Sequence, residues 1–553
     1  MNRRLLALAL LLPVARAGAQ ATAYQPGIDV LDYAIGIELP DTGAFIRGDV
    51  TITLRRAHNV ERLVLDLVDA MTVRSIIVEG LEVKAPHTGN KITIPLDGTG
   101  DSLRVRVRYD GVASDGLIAR KDAKGRWTWF GDNWPDRARQ WLPTVDHPSD
   151  KATVTWNVRT PLGRRVVANG LETRTRAIAG GGTRMIEASW REARPIATYL
   201  MVIGVGPLET FPLAESVCHR TDEGTCARQT VWVMPENKAW LPGVFSTAGP
   251  IVSLFEKLVG PFPYEKLAHV QSSTRFGGME NASAIFYDGK LFDAQRMSDG
   301  LIAHETAHQW FGDAVTEREW GHVWLSEGFA TYFAALWSLS NRGDTAYRAD
   351  MARIKQQILA DKVVAERPVI DTAQTDYLAL LNTNSYQKGG YILYMLHQQM
   401  GDSAFFGGIQ SYYAKHRHGN ALSDDLRLEL EQSSGLSLKK FFDQWLRRPG
   451  FAEPAIGWAY DPATSTVSVR VLQQDARCVS MPVTVACDGS RIVPYEMPLQ
   501  IAITDAAGAT TRVTIDIPAD PRTTVVLPGR YARAPRSVVF DPDERLLARI
   551  VRL

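Results

Sequence analysis

Two histidines one helical turn apart are the feature that most constrains how this chain folds. His304 and His308 stand at positions i and i+4, so a helix would place both imidazoles on the same face. Glu305 lies between them in sequence and would flank an ion that both rings reach. The pattern His-Glu-x-x-His on a helix is a zinc signature in which the glutamate is the general base. A catalytic zinc also needs a third protein ligand and an open position for water, and Glu327 is the candidate ligand.

Three further motifs distinguish this site from a His-Glu-x-x-His that arises by chance on a solvated helix. Glu327 lies in the segment Trp324–Gly328, and 18 residues separate it from His308. The glycine-rich segment Gly277–Asn281 precedes the histidines, and Tyr386–Gly389 follows them. In this order and spacing, the motifs resemble peptidase family M1, the zinc aminopeptidases of the gluzincin group.

The resemblance implies one zinc ion per chain, held by His304, His308 and Glu327. It also implies that Glu305 takes a proton from metal-activated water and passes it to the leaving amine. Tyr386 would donate a hydrogen bond to the oxyanion of the tetrahedral intermediate. The alternative for this tyrosine is a half-buried core position with a solvated hydroxyl. His322 is close in sequence, but we expect it to pack or to support the site, since three ligands already complete the pattern.

A carboxylate for the substrate's ammonium is what would make such a site an aminopeptidase. In the family, the glutamate of the Gly-x-Met-Glu-Asn motif binds the α-amine, and here that residue is Glu280. Glycines beside it would let a peptide backbone approach closely. The alternative is a glycine turn with a solvated glutamate. The predicted substrate-binding residues are Gly277, Gly278, Met279, Glu280 and Asn281.

The chain departs from the family pattern at two positions. The family places a glutamine or glutamate of the N-terminal domain near the amine, and counting back from Ala138-Arg139 puts Trp134 there. Asp132 and Asn133 are adjacent and could replace it, so the second amine contact stays open. Asp313 stands where the family often has asparagine, a change that can alter hydrogen bonding behind the metal ligands.

At 553 residues the chain is too long for a single core. Strand patterns run from about residue 24 to 206 and return after residue 454, and the stretch between them has mainly helical periodicity. With the resemblance, this predicts a multidomain α+β fold: an N-terminal β domain, a thermolysin-like, mainly helical catalytic domain and a small C-terminal β-sandwich. The predicted boundaries are 1–20 for a signal peptide, 21–210, 211–450 and 451–553 for the three domains.

The first 20 residues have the pattern of a secretory signal peptide. Arg3 and Arg4 precede a short apolar run, Leu5–Val14, and small residues follow it. A membrane anchor is the alternative, but about ten apolar residues cannot cross a hydrocarbon core about 30 Å thick. We therefore predict export to the periplasm or the medium after cleavage, without a stable membrane span.

The four cysteines form two close pairs in sequence. Local pairing would join Cys218 to Cys226 and Cys478 to Cys487, and loop closure favours it over the two other arrangements. Free thiols are the alternative. A zinc role is disfavoured because neither pair has Cys-x-x-Cys spacing.

The formal net charge of +1, without a long basic or acidic run, gives no reason to expect nucleic acid as a partner. The expected partners are peptides with a free amino terminus. The competing hypotheses are a thermolysin-type endopeptidase, an epoxide hydrolase and a non-catalytic scaffold. Side-chain preference, physiological substrate and oligomeric state stay open.

Overall fold

The computed structural model describes residues 24–96, 100–180, 183–213, 219–220, 226–473 and 493–553. The predicted signal peptide lies outside these residues, and so do Cys218, Cys478 and Cys487. The side chain of Cys226 is not described either, so the cysteine pairing stays a prediction.

An eight-stranded sheet forms the centre of the N-terminal region. Buried and more exposed side chains alternate along its central strands, because one face packs on the core and the other meets solvent. Ile28–Glu38 and Lys151–Pro161 pair in parallel, and the other neighbours are antiparallel. In spatial order the strands are Leu171–Gly180, Thr183–Ala197, Lys151–Pro161, Ile28–Glu38, Phe45–Arg56, Ser102–Val112, Thr72–Val78 and Leu81–Val83.

Two smaller sheets complete this region among the described residues. The first is a three-stranded sheet, and the second is a four-stranded sheet that carries the segment leading to Trp134. Their strands are, in spatial order, Arg62–Asp66, Lys91–Pro95 and His87–Thr88, and Arg165–Ala168, Ile203–Gly206, Trp127–Gly131 and Leu117–Lys121. The predicted N-terminal β domain is therefore confirmed as a fold.

A mixed sheet opens the predicted catalytic region, and its last strand carries Gly278 and Met279. Its first strand spans the predicted boundary between residues 210 and 211 and pairs with the next strand of this sheet. The domain boundaries stay predictions. The strands are Glu209–Pro212, Cys226–Val233, Lys266–Ser272, Ala284–Asp288 and Gly278–Met279, with His219–Arg220 beside Cys226–Val233 and a separate parallel pair, Val315–Glu317 with Gly419–Ala421.

Helices make up most of the catalytic region, as predicted. The α-helices are α1 Leu241–Val244, α2 Ala248–Leu258, α3 Gly289–Asp293, α4 Asp299–His308, α5 Trp324–Arg342, α6 Asp344–Ala360, α7 Lys362–Glu366, α8 Gly389–Met400, α9 Asp402–His416, α10 Ser423–Ser434 and α11 Lys439–Leu446. Asn384–Lys388 is a π-helical turn, and the 3₁₀ turns are Ala138–Gln140, Thr198–Leu200, Pro235–Trp240, Phe245–Thr247, Trp320–His322 and Tyr377–Leu380.

Helices α4 and α5 pack against each other and carry the candidate metal ligands. The hydroxyl of Ser298 caps α4 by accepting a hydrogen bond from the backbone N–H of Leu301 at 3.2 Å. Gly343 ends α5 in the left-handed region, with φ of 83°. The start of α4 and the end of α5 therefore follow from local sequence.

The C-terminal region consists of two sheets in the part of the chain that is described. The inward-facing apolar residues of both sheets belong to the buried core, for example Val469 and Ile501, whereas Trp458 and Val526 are exposed. The strands are Arg522–Val526, Thr466–Leu472, Ala455–Asp461 and Val551–Arg552 in one sheet, and Thr510–Ile517, Met497–Thr504 and Ser537–Phe540 in the other. The predicted α+β architecture is confirmed.

Candidate metal centre and active-site cavity

His304, His308 and Glu327 bring three donor atoms together, as the sequence predicted. The two Nε2 atoms lie 3.2 Å apart. Each of them lies 3.3 Å from Oε2 of Glu327. A tetrahedral zinc with ligands at about 2.0–2.1 Å requires donors about 3.3–3.4 Å apart. The residues present therefore fit zinc, and they leave the fourth position free for water or substrate.

Two neighbours orient the His308 ring. Its Nδ1 lies 2.9 Å from the Ser326 hydroxyl and 3.2 Å from the carbonyl oxygen of Phe311. A proton on Nδ1 can be donated to that carbonyl, which leaves Nε2 unprotonated and able to bind a metal. Ser326 stands directly before Glu327, so α5 supplies both a ligand and a support for the opposite ligand.

Glu305 is buried beside the metal ligands and has an open approach from the cavity. An added Cβ at Gly278 would lie 2.2 Å from Oε1 of Glu305, whereas one at Gly277 would meet nothing within 4 Å. Because a side chain at position 278 would collide with this carboxylate, the position requires glycine. Burial raises the pKa of Glu305 well above its usual value, although His308 opposes the shift.

Glu280 is the second carboxyl group at this site. One oxygen of Glu280, one of Glu305 and a ring nitrogen of His308 lie within 4.8 Å of one another. Burial raises the pKa of Glu280 to about 7, against the opposing effect of His308. Burial acts in the same direction on Glu327, but there the neighbouring His308 and His304 outweigh it and lower the pKa to about 2.

Gln309 connects the Glu280 segment to the end of α4. Its Nε2 donates to the carbonyl oxygen of Glu280 at 2.7 Å, and its Oε1 accepts from the backbone N–H of Ser283 at 2.8 Å. From the N-terminal region, Asn169 Nδ2 donates to the carbonyl oxygen of Ala282 at 2.8 Å. Sequence reasoning missed Gln309 and Asn169. The position of Gln309 directly after His308 was an available signal, whereas nothing local indicated Asn169.

The N-terminal region reaches the cavity through Trp134. Its ring packs edge-on against Phe276 and Trp320, with centroids 6.3 and 5.2 Å away. Asp132 and Asn133, the predicted substitutes for the second amine contact, are fully buried and engaged elsewhere. Arg137 Nη2 donates to Asp132 at 2.7 Å, and Trp141 Nε1 donates to Asn133 at 2.8 Å. Neither lines the cavity, so the geometry does not support them as substitutes.

Tyr386 lies in the π-helical turn before α8 rather than in a regular helix. Its hydroxyl donates to Oε1 of Glu327 at 2.8 Å, and its ring stacks on His304 with centroids 6.0 Å apart. Burial, helped by Glu327, raises the pKa of Tyr386 well above its usual value, so the hydroxyl stays a donor. A bond from Tyr386 to an oxyanion requires this hydroxyl to turn away from Glu327.

The remaining predicted residues divide between the cavity and the packing behind it. Met279 lines the cavity, whereas Asn281 is fully buried and does not. His322 Nδ1 lies 2.8 Å from the hydroxyl of Ser423, away from the metal ligands, as expected of a packing residue. Asp313 accepts a hydrogen bond from Gln309 at 2.8 Å. Its side chain therefore supports the Glu280 segment, and its backbone N–H donates to the carbonyl oxygen of His308 at 3.0 Å.

These groups meet in one cavity of about 540 Å³. Its wall includes the metal ligands, Glu305, Glu280 and Tyr386, and it continues along α5 and α6. The size falls within the range of about 300–1,000 Å³ that is usual for ligand sites.

Comparisons with known proteins identify the family. The Peptidase family M1 domain model matches residues 246–445, and the Peptidase M1 N-terminal domain model matches residues 31–200. The chain belongs to peptidase family M1. Probable aminopeptidase 1 of Sulfurisphaera tokodaii is 26% identical over 415 residues, 71% of this chain and 50% of the relative. Human glutamyl aminopeptidase is 28% identical over 339 residues, 58% of this chain and 34% of the relative. The chain thus spans half or less of these curated relatives.

Solved structures agree with this M1 assignment. The M1 zinc metallopeptidase of Deinococcus radiodurans matches with a TM-score of 0.66 and 25% identity, over 77% of this chain and 95% of that one. Aminopeptidase A of Legionella pneumophila, solved with aspartic acid, matches with a TM-score of 0.78. At 16% identity over 95% of this chain and 59% of that one, it supports the fold alone. Among the described residues, no helix has the length and apolar character needed to cross a membrane.

Proposed function

We propose that this M1 chain is a zinc-dependent aminopeptidase that hydrolyses the first peptide bond of peptides with a free amino terminus. The observation that carries the proposal is the buried Glu280 carboxyl group within 4.8 Å of Glu305 and His308. A site for internal peptide bonds has no need of a carboxylate at this place. An ammonium group needs one, because a buried charge requires a partner.

His304, His308 and Glu327 would hold one zinc ion per chain. When bound, zinc supplies a Lewis acid that polarises the carbonyl group and lowers the pKa of water. Ser326 and Phe311 keep the His308 ring in place. Support comes from the donor distances and from the zinc metallopeptidases among the structural relatives.

Glu305 is the proposed general base. Its burial beside the cavity raises the pKa of its carboxyl group, which makes the carboxylate a stronger acceptor for a proton of water. Glu305 would take a proton from the attacking water and later give it to the leaving amine. Tyr386 would donate its hydroxyl proton in a hydrogen bond to the oxyanion, which stabilises the negative charge as it forms.

Glu280 would hold the α-ammonium and thereby fix the distance from the amino terminus to the scissile bond. The segment after Glu280 is held from two sides, by Gln309 and Asn169. The fixed position favours one register of the peptide. A related Deinococcus radiodurans structure, a mutant enzyme, holds a Tyr-Ser-Ala substrate, which supports peptides as the substrate class.

The test compares peptides and amino-acid arylamides that carry a free or an acetylated amino terminus. An aminopeptidase releases the first residue only from the free-amine forms, and a chelator abolishes this activity. Equal cleavage of the acetylated forms would indicate an endopeptidase. Bound zinc without turnover on any peptide would indicate a scaffold or, if an epoxide is opened, an epoxide hydrolase.

Export after cleavage of residues 1–20 is a further part of the proposal, and its support is the sequence pattern alone. The test is cell fractionation of the full chain, with the mass of the mature protein. A mature chain that begins at or near Ala21 in the exported fraction would support export, and full-length protein retained in the cytoplasm would contradict it.

A further inference from the structure

The active-site cavity is lined by acidic side chains at one end and by arginines at the other. Glu280, Glu305 and Glu327 lie at the catalytic end, whereas Arg342 and Arg353 line the cavity where it continues along α5 and α6. A peptide held by its ammonium at Glu280 must extend its remaining residues away from that end. The rest of the substrate is therefore directed along a wall that becomes basic.

One face of α5 forms this wall from the metal ligand outwards. Glu327, Thr331, Ala334, Ala335 and Arg342 all line the cavity, and their spacing of 4, 7, 8 and 15 residues from Glu327 keeps them on one side of the helix. Fifteen residues of helix span about 22 Å at about 1.5 Å per residue. An extended peptide covers that length with about seven residues at about 3.3 Å each.

Helix α6 brings the second arginine to the same place. Only Gly343 separates α5 from α6, and the two helices pack together. Ile354 and Gln357 of α6 also line the cavity, so both helices contribute to the wall that carries the two arginines.

Asp350 fixes the two arginines without cancelling their charge. Arg342 Nη2 lies 3.0 Å from one carboxylate oxygen of Asp350, and Arg353 Nη2 lies 3.3 Å from the other. Two cations share one anion, so the group keeps a net positive charge. Arginine has five N–H donors and suits planar recognition of a carboxylate. The side chains of Arg342 and Arg353 are 52% and 61% exposed, so they are accessible but screened by water.

We propose that Arg342 and Arg353 form a subsite for a substrate carboxylate, and that the enzyme therefore prefers short peptides with a negative charge within about seven residues of the cleaved bond. This inference rests on the proposed aminopeptidase function. The carboxylate has two possible sources, the carboxyl terminus of a short peptide and an aspartate or glutamate side chain. Both present the same chemical group to the guanidinium donors.

The experiment measures kcat/KM for release of the first residue from neutral peptides of three to nine residues, each as the free acid and as the carboxamide. A second series keeps the carboxamide and moves one glutamate along the peptide. We expect a carboxylate to raise kcat/KM about three- to tenfold at favoured positions, since the pairing is charge-assisted but exposed. The ratio of kcat/KM for the charged form of a peptide to that for its uncharged form should fall towards one at high salt.

The variants are Arg353→Gln and the double variant Arg342→Gln/Arg353→Gln. We expect the ratio to fall in the first and to approach one in the second, with thermal unfolding as a check on folding. Arg348→Gln is the matched control, because Arg348 lies on the same helix, is 51% exposed and pairs with Asp344 instead of lining the cavity. It should keep the wild-type ratio.

A preference for the carboxylate-bearing peptides in either series supports the subsite. A preference in the first series identifies the carboxyl terminus as the source of the carboxylate, and one in the second series identifies a side chain. Equal rates for charged and uncharged forms in both series would overturn the subsite, and so would a preference that survives in the folded double variant. Amino-acid arylamides separate this failure from that of the proposed function. If the wild type hydrolyses arylamides without preferring charged peptides, only the subsite is wrong. If it releases no first residue from any substrate, the aminopeptidase proposal itself fails.

Discussion

The cavity has a metal end, formed by His304, His308 and Glu327, and an amine end, formed by Glu280. The two ends are built in different ways. The three metal donors come from two packed helices, and most of their geometry follows from helix spacing. Glu280 lies on a segment whose position depends on Gln309 and on Asn169, which is more than 100 residues away in sequence. Both ends bury a carboxyl group, yet the pKa of Glu327 falls to about 2 and that of Glu280 rises to about 7. Burial alone does not set the charge of an acid; its neighbours do.

Glu305→Gln should have the largest effect and should separate chemistry from metal binding. The amide cannot accept the proton of water, so we expect kcat to fall about 10²- to 10⁴-fold. Zinc content should stay at the wild-type level, since Glu305 is not a ligand in the proposed site. Metal analysis with steady-state kinetics checks this, and loss of zinc in the variant would mean that Glu305 belongs to the metal end.

Glu280→Gln should damage the amine end and spare the metal end. Removing the charge leaves the ammonium without a partner, and loss of such a buried pair costs about 2–5 kcal/mol. We expect kcat/KM for free-amine substrates to fall about 30- to 5,000-fold. Zinc affinity should change little. An unchanged rate on free-amine substrates would refute the role given to Glu280.

Gly277 and Gly278 offer a matched pair of variants that test how strongly the rate depends on the position of Glu305, which lies between the two ends. In Gly278→Ala the new Cβ would lie 2.2 Å from the Glu305 carboxylate, so the base must move. A displacement of about 1 Å can cost about 10²-fold in rate. Gly277→Ala places its Cβ in open space and should retain most of the activity. Equal rates in both variants would show that the position of Glu305 is not limiting.

Ser326→Ala should weaken the metal end alone. The change removes the hydroxyl beside His308 Nδ1, and loss of such a support typically costs about 10- to 100-fold in metal affinity. Competition with a chelator measures the dissociation constant of zinc. Ser338→Ala, three turns later on α5 and in contact with Arg342, is the control and should bind zinc like the wild type.

Trp134→Gln should have the smallest effect and bears on the amine end. It introduces the residue type that the family resemblance implies at this position, although the segment before it is fixed by buried contacts. We expect a change in kcat/KM of only about threefold, because the ring is a wall of the cavity and Glu280 remains. A rise well above that would show that the second amine contact had been missing in the wild type.

The metal end could be predicted from the sequence almost completely. His304, Glu305 and His308 lie within two turns of one helix, so their relation is local, and Ser298 marks where the helix begins. The amine end was predicted only in part. Glu280 was identified, but Asp132 and Asn133 were considered as partners, and the structure uses both to hold the N-terminal region together.

The sequence by itself determined the candidate ligand set, the order of the β, helical and β regions and the family resemblance, because helix periodicity and motif spacing are properties of neighbouring residues. Only the tertiary structure decided which side chains surround Glu280, that Tyr386 meets Glu327, and that two arginines from a helical hairpin line the same cavity as the metal ligands. These relations join residues far apart in sequence. They arise when separate elements bury a common surface, and no local pattern encodes which elements will meet.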